Sequence, residues 1–394
     1  MKHTLKRTSK KLLYLLACAL NEKTPEIKTI SETDSDRLFS LAHMHGVTSM
    51  AACAITSQED HDRILKKNNL EKWKKAADSA FKKRALLDME RSIILLDMER
   101  MGIWYCPLKG IIIQDLYPEY GMREMADNDI LFDESRREEV IKYMQSHGYS
   151  LDFEGVTNHD EFVKEPVYNF EFHARLFMHT FSTVFTDYYD RVRDRLLKDD
   201  DKEFGYHFSD DDFYIYFTAH AYKHYKEGGT GFKTLTDFFV LNKKYAESLD
   251  RTYISRELNI LGISEFEGSM RLLSEKLFKD PDNIFHEISN LSDKEKELLA
   301  FISRSGAYGT DEQRVKEKVA RVTGAEDGKL TGTDRLKYFA SRLFPDMNYY
   351  KEAHPFLYKN KALIPFFVIF RTTYRPVVNR KKLLEELRTV LRMS

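Results

Sequence analysis

Two aspartates one residue apart, Asp127 and Asp129, lie in the run Arg123-Glu-Met-Ala-Asp127-Asn-Asp129-Ile-Leu-Phe. In an extended chain, side chains alternate with period two, so both carboxylates would share a face. The Ile130, Leu131 and Phe132 that follow favour a strand. An aligned acidic pair can hold one or two Mg²⁺ ions, which together with substrate phosphates form the centre of a phosphoryl-transfer site. A calcium loop of the D-x-[DN]-x-[DN]-G type is excluded, because the glycine position is Phe132 and the closing Glu138 falls in a helical stretch. Taken alone, the pair could also be two solvated loop aspartates.

Its neighbours argue for chemistry. Upstream, the apolar run Ile103 to Leu108 leads into Lys109-Gly110 and then into the helical Ile111 to Tyr117. Strand, glycine turn and helix can present backbone N–H groups to a phosphate, with Lys109 as a point charge for its outer oxygens. Downstream, Val167 to Leu176 reads as a strand. Asn169, Glu171, His173 and Arg175 share one face, while Phe170 and Phe172 share the other. A polar face on a strand otherwise suited to burial suggests the wall of an active site.

Lys-Gly, then Arg-x-x-x-Asp-x-Asp before apolar residues, then Glu-x-His on a later strand resembles the bacterial uncharacterised nucleotidyltransferase family, within the DNA polymerase beta-like nucleotidyltransferase superfamily. The likeness runs from about His45 to the Pro365 region, with its specific part at 108–173. It implies that Gly110 is the glycine turn, Asp127 and Asp129 are metal carboxylates, and Glu171 is the third carboxylate. It also implies Mg²⁺, with Mn²⁺ as a substitute, and a nucleoside triphosphate, ATP included, as substrate. Ile111 replaces the serine usual after the glycine, and Ala126 stands where a small polar residue is common. Lys109 and Arg123 could supply the missing phosphate contacts. The expected activity is metal-dependent transfer of a nucleoside monophosphate to a hydroxyl on a small molecule, protein or RNA. The alternative is a catalytically inactive nucleotide-binding or interaction protein that keeps the fold.

His220 and His224 lie at i and i+4 with Lys223 between them. That spacing can serve zinc, but the glutamate and third ligand of an H-E-x-x-H site are missing. Structural histidines, or a nucleotide-contacting pair favoured by the resemblance, remain. Lys233 and Asp237, also at i and i+4, read as a surface ion pair or as a substrate-facing aspartate. His173 could act as a general base or orient Glu171.

These residues need elements to carry them. The 394 residues suggest two or three domains of ordinary soluble composition, 42% hydrophobic. Sixty-two basic residues against 63 acidic ones give no global preference for nucleic acid. Cys18, Cys53 and Cys106 include no C-x-x-C, so neither a disulfide framework nor a cysteine zinc site is indicated. Leu12 to Leu16 is too short for the core of a signal peptide, and Leu12 to Leu20 reads as an amphipathic helix. No run is long enough to span a bilayer, so a reduced, cytoplasmic protein without a membrane partner is expected.

The expected fold class is α+β: a small mixed-sheet core with helical regions on both sides. The divisions fall at 1–100 (helical), 101–205 (α/β core) and 206–394 (helical). Strands are expected near 103–108, 128–133, 149–154 and 167–177, with a helix at 134–146. Ser209-Asp-Asp-Asp and Ser292-x-x-Glu295 mark helix starts. Residues 306–333 are expected to include a loop, and the apolar Ala362 to Tyr374 to pack in the helical domain.

Overall fold

The computed structural model describes residues 5–26, 30–57, 67–152, 158–307, 311–324, 330–370 and 380–393. The aromatic and β-branched runs form one five-stranded sheet. Its strands are β1 (Tyr105–Pro107), β2 (Asn128–Phe132), β3 (Ser150–Asp152), β4 (His159–Lys164) and β5 (Tyr168–His173), in the order β1-β2-β5-β4-β3. β2 and β5 are parallel, and every other neighbouring pair is antiparallel. A parallel pair requires a crossover, supplied here by the helix Arg137–Ser146 followed by β3 and β4.

The pleat sorts the side chains. Ile130, Phe132, Phe162, Phe170 and Phe172 are buried on one face, under Leu87, Ile94 and Met98 of the long helix Lys67–Met101 and Val140 and Met144 of the crossover helix. Phe172 meets Phe132 and Phe162 edge to face at 5.5 and 5.7 Å, a favoured aromatic geometry. Period two then sends Asp129, Glu171 and His173 to the opposite face.

That opposite face is covered by the flanking helices. A second core joins Leu12–Leu20 of the helix Arg7–Leu20, Phe213–Phe217 of Asp210–Lys226, and Phe232–Leu241 of Phe232–Lys244 to Cys106, Leu108, Tyr117 and Leu131 of the α/β unit. The division at 100/101 falls at the end of the helix Lys67–Met101 and that at 205/206 falls inside a hairpin of Leu196–Lys198 with Tyr206–Phe208, and one core crosses both. The small sheet leans on helices from both sides of it in sequence.

The α+β class with helical flanks is as expected, and several details differ. The strand β4 was not anticipated, because His-Asp-Glu-Phe-Val-Lys is polar at four of its six positions. The same holds for the hairpin of β6 (Leu196–Lys198) and β7 (Tyr206–Phe208). β5 ends at His173 rather than 177: Ala174 and Arg175 turn away, their amides donating to Asn158 O. β3 ends at 152, and 153–154 lie outside the described residues. Leu12–Leu20 of the N-terminal helix is buried throughout. Within 306–333 the helix Asp311–Thr323 forms, and 308–310 and 325–329 lie outside the described residues.

Candidate active site

Parallel pairing sets Asp129 directly opposite Glu171, and the β4–β5 register sets His159 opposite His173. Carboxylates and imidazoles from three adjacent strands are thereby collected on one patch. Asp127 immediately precedes β2 and is half-buried, whereas Asp129 and His173 are buried. The loop after β1 closes over them, with Leu108 N donating to Asp129 O at 2.9 Å. Lys109 then takes a positive φ of 49°, a conformation that costs a side-chain-bearing residue of order 1–3 kcal/mol. Its Nζ donates to Asp129 Oδ1, which also accepts from His173 Nε2 at 2.7 Å.

The charges interlock. Burial pushes the Asp129 carboxyl up, but Lys109 and His173 outweigh it and hold the group well below the usual carboxylate range. Burial, with the charges of Asp129 and Glu171, pushes Asp127 up to about 6. Burial opposes the Lys109 charge, yet Asp129, Glu171 and Asp127 keep its pKa above the ordinary value. Lys109 is the ammonium in direct contact with this carboxylate group.

Which atoms suit a cation follows from the hydrogen-bond network. One donor atom each of His159, Glu171 and His173 lie within 4.8 Å of one another. His173 is nevertheless a poor ligand. Asn158 Nδ2 donates to Arg175 O at 2.8 Å and Leu176 O at 3.2 Å, which assigns it as the amide nitrogen, and it faces His173 Nδ1 at 3.2 Å. An ionised Asp129 carboxylate only accepts, so Nε2 carries the hydrogen of that contact. That leaves His173 as an orienter of Asp129. His159 Nε2 is 3.6 Å from Glu171 Oε2, and burial together with His173 pushes its pKa down to about 4, keeping the ring neutral. With His173 given to Asp129, the neutral His159 Nε2 and the Glu171 carboxylate remain of that cluster, and Asp127, coupled by charge to Asp129 and Glu171, belongs to the same patch, whose carboxylate oxygens are the donors a hard cation such as Mg²⁺ or Mn²⁺ takes.

The remaining expected residues divide into two groups. Gly110 is required by close packing: a Cβ there would stand 2.7 Å from Arg123 Nη1 and 2.8 Å from Met125 Sδ. Ile111 is core, so no hydroxyl is present at that point. Arg123 and Asp237 hold each other in a two-point ion pair, with Nε–Oδ1 at 2.7 Å and Nη2–Oδ2 at 2.9 Å. Tyr117 OH adds a bond of 2.7 Å to the same carboxylate. Asp237 is thus buried and joined to Arg123 instead of forming a surface pair with Lys233, whose Nζ donates to Glu124 O at 3.3 Å. Arg175 lies outside the patch, beside Glu134 at 3.3 Å.

His220 and His224 stand on the helix Asp210–Lys226, with their Nε2 atoms 3.2 Å apart. Burial lowers both pKa values, helped by Lys109 and His224 at His220 and by Lys223 and Lys109 at His224, which falls to about 3. They form a neutral wall facing the Lys109–Asp129 pair. Burial lowers the pKa values of Lys223 and Lys233, with Glu227 first and then Glu171 and Asp129 opposing it at Lys223, and Arg123 adding to it while Asp237 and then Asp127 oppose it at Lys233. Sequence reasoning missed Asn158, His159 and Lys223 as site residues. The i, i+3 spacing of Lys223 from His220 was an available signal, whereas Asn158 and His159 depended on recognising β4.

A family model described as uncharacterised nucleotidyltransferase matches residues 31–279. The chain belongs to that family, and a general nucleotidyltransferase role accords with the patch just described. No curated protein and no solved structure matches the chain.

Proposed function

We propose that the protein is a metal-dependent enzyme that transfers a nucleoside monophosphate from a nucleoside triphosphate to a hydroxyl acceptor. The observation that carries this reading is the register pairing of Asp129 with Glu171 beside Asp127, with Lys109 reaching into the carboxylates. Asp127, Asp129 and Glu171 would hold Mg²⁺ or Mn²⁺. When bound, the ion would neutralise triphosphate charge and lower the pKa of the acceptor hydroxyl.

The chain's own residues do the rest by positioning and electrostatics. His173, fixed by Asn158, keeps Asp129 aimed at the patch. Lys109 supplies a charge-assisted contact to the triphosphate, with Lys223 and Lys233 as further cations beside the carboxylates. His220 and His224 line the nucleotide side as neutral donors or acceptors. Arg123, engaged by Asp237, supports the Gly110 turn from behind. The acceptor oxygen bonds to the α-phosphorus, the bond to the bridging oxygen breaks, and pyrophosphate leaves. The acceptor proton passes to a site carboxylate or to water.

Incubating α-labelled nucleoside triphosphates and Mg²⁺ with hydroxyl acceptors drawn from small molecules, proteins and RNA tests this. Label transferred by the wild-type chain and not by Asp129→Asn supports the reading. Tight nucleotide binding without transfer to any acceptor would favour the inactive alternative.

A further inference from the structure

The last part of the chain carries a net positive charge, whereas the rest taken together is negative. Residues 330–394 hold thirteen lysines and arginines against five acidic residues, within a chain of formal charge −1. Leu330, Tyr338, Val390 and Met393 of this part share a small core with Val319 of the helix Asp311–Thr323. Glu386 is spent inside it, accepting from Tyr338 OH at 2.6 Å and from Arg342 Nε at 2.8 Å.

The same part leaves large apolar side chains in water. Leu336 is 71% exposed, Phe344 67%, Phe356 67% and Phe366 70%. Leu336 and Leu343 are seven residues apart on the helix Gly332–Leu343, hence on one face, and both are exposed. The stretch Ala362 to Tyr374, expected to pack in the helical domain, instead exposes Leu363, Pro365 and Phe366, and 371–374 lie outside the described residues. Lys337, Lys351, Lys359, Lys361, Arg388 and Arg392 are exposed in the same part of the chain. Among the described residues, no helix is long and apolar enough to cross a membrane.

We infer that this C-terminal part docks on the surface of an anionic lipid bilayer. Exposed aromatic and aliphatic side chains interleaved with lysine and arginine, on segments too short to span, match a surface that sits at the headgroup boundary. Anionic lipid supplies the opposite charge, and each basic residue near such a surface adds to binding. Nucleic acid would meet the charge but leave the phenylalanines and leucines in water. A second copy of this basic part would meet the apolar surface but oppose the charge. This surface replaces the expectation that the protein has no membrane partner, and it does not depend on the proposed reaction.

The test is sedimentation of the full-length protein with vesicles of phosphatidylcholine containing phosphatidylglycerol, against phosphatidylcholine alone. Binding to the anionic vesicles at least about ten-fold tighter, and weakened by salt, is expected. Phe344→Ser with Phe366→Ser, and separately Lys359→Glu with Lys361→Glu, should each reduce it about ten-fold or more, with the circular dichroism spectrum unchanged. Equal binding to both vesicle types, or to neither, overturns the inference. So does self-association that the phenylalanine variants abolish, or binding to RNA that the lysine variants remove while vesicle binding persists.

Discussion

Arg123 and Asp237, 114 residues apart, form a buried two-point ion pair that ties the loop before β2 to the helix Phe232–Lys244. It joins the α/β unit to the C-terminal helices immediately behind the Gly110 turn. Asp237→Leu is expected to cost about 3–5 kcal/mol, because it leaves a guanidinium buried without its partner. Arg123→Met with Asp237→Leu should recover most of that loss. Denaturant unfolding of the two single variants and the double variant checks this; additive losses would mean the two groups are not coupled.

Asp129→Asn is expected to preserve the fold and abolish Mg²⁺-dependent triphosphate binding. The amide keeps an acceptor for Lys109 and His173 but removes the charge a hard cation needs. Asp129→Ala is the harsher change, since it strands the Lys109 ammonium. Calorimetric titration of Mg²⁺ with nucleotide, beside an unfolding curve, separates loss of site from loss of fold.

Lys109→Met keeps the length of the side chain and removes its charge. It should weaken triphosphate binding by about ten-fold or more, as expected for a lost charge-assisted contact. Free nucleoside should bind as before. Equal weakening for both ligands would place Lys109 away from the phosphates.

Asp127 carries the expected pH dependence. Its folded pKa, about 6, lies above the ordinary 3.8, so the carboxyl is protonated below about 6 and charged above it. Metal affinity should fall as pH drops through 6. In the metal-free protein this group's contribution to stability declines as pH rises from about 4 to 6, because the unfolded chain ionises first. Mg²⁺ should offset that decline. Metal titrations one pH unit on either side of 6 test this, and Asp127→Asn should flatten the difference.

Much of this site was legible in the sequence because its residues sit in short, strongly patterned segments. Asp127, Asp129, Glu171 and His173 follow from period two, and Lys109-Gly110 from strand followed by turn. Pairings over long separations were not legible. Nothing local to Arg123 says that its partner is Asp237, and the local rule of i, i+4 pairs pointed to Lys233 instead. β4 escaped because Phe162 is flanked on its own face by Asp160 and Lys164, so that face lacks an apolar stripe.

The ladder between β2 and β5 has a consequence for what can change in this chain. Asp129 meets Glu171 because hydrogen-bonded backbones count residues, and a slip of one position would offer Phe170 or Phe172 in its place. Spacing between the two acids is therefore inherited from the mainchain, like teeth on meshed gears. The connection between the strands can lengthen or shorten without altering the mesh. A single insertion inside Asn128–Phe132 or Tyr168–His173 would dismantle the centre at one stroke, although every residue it needs would still be present.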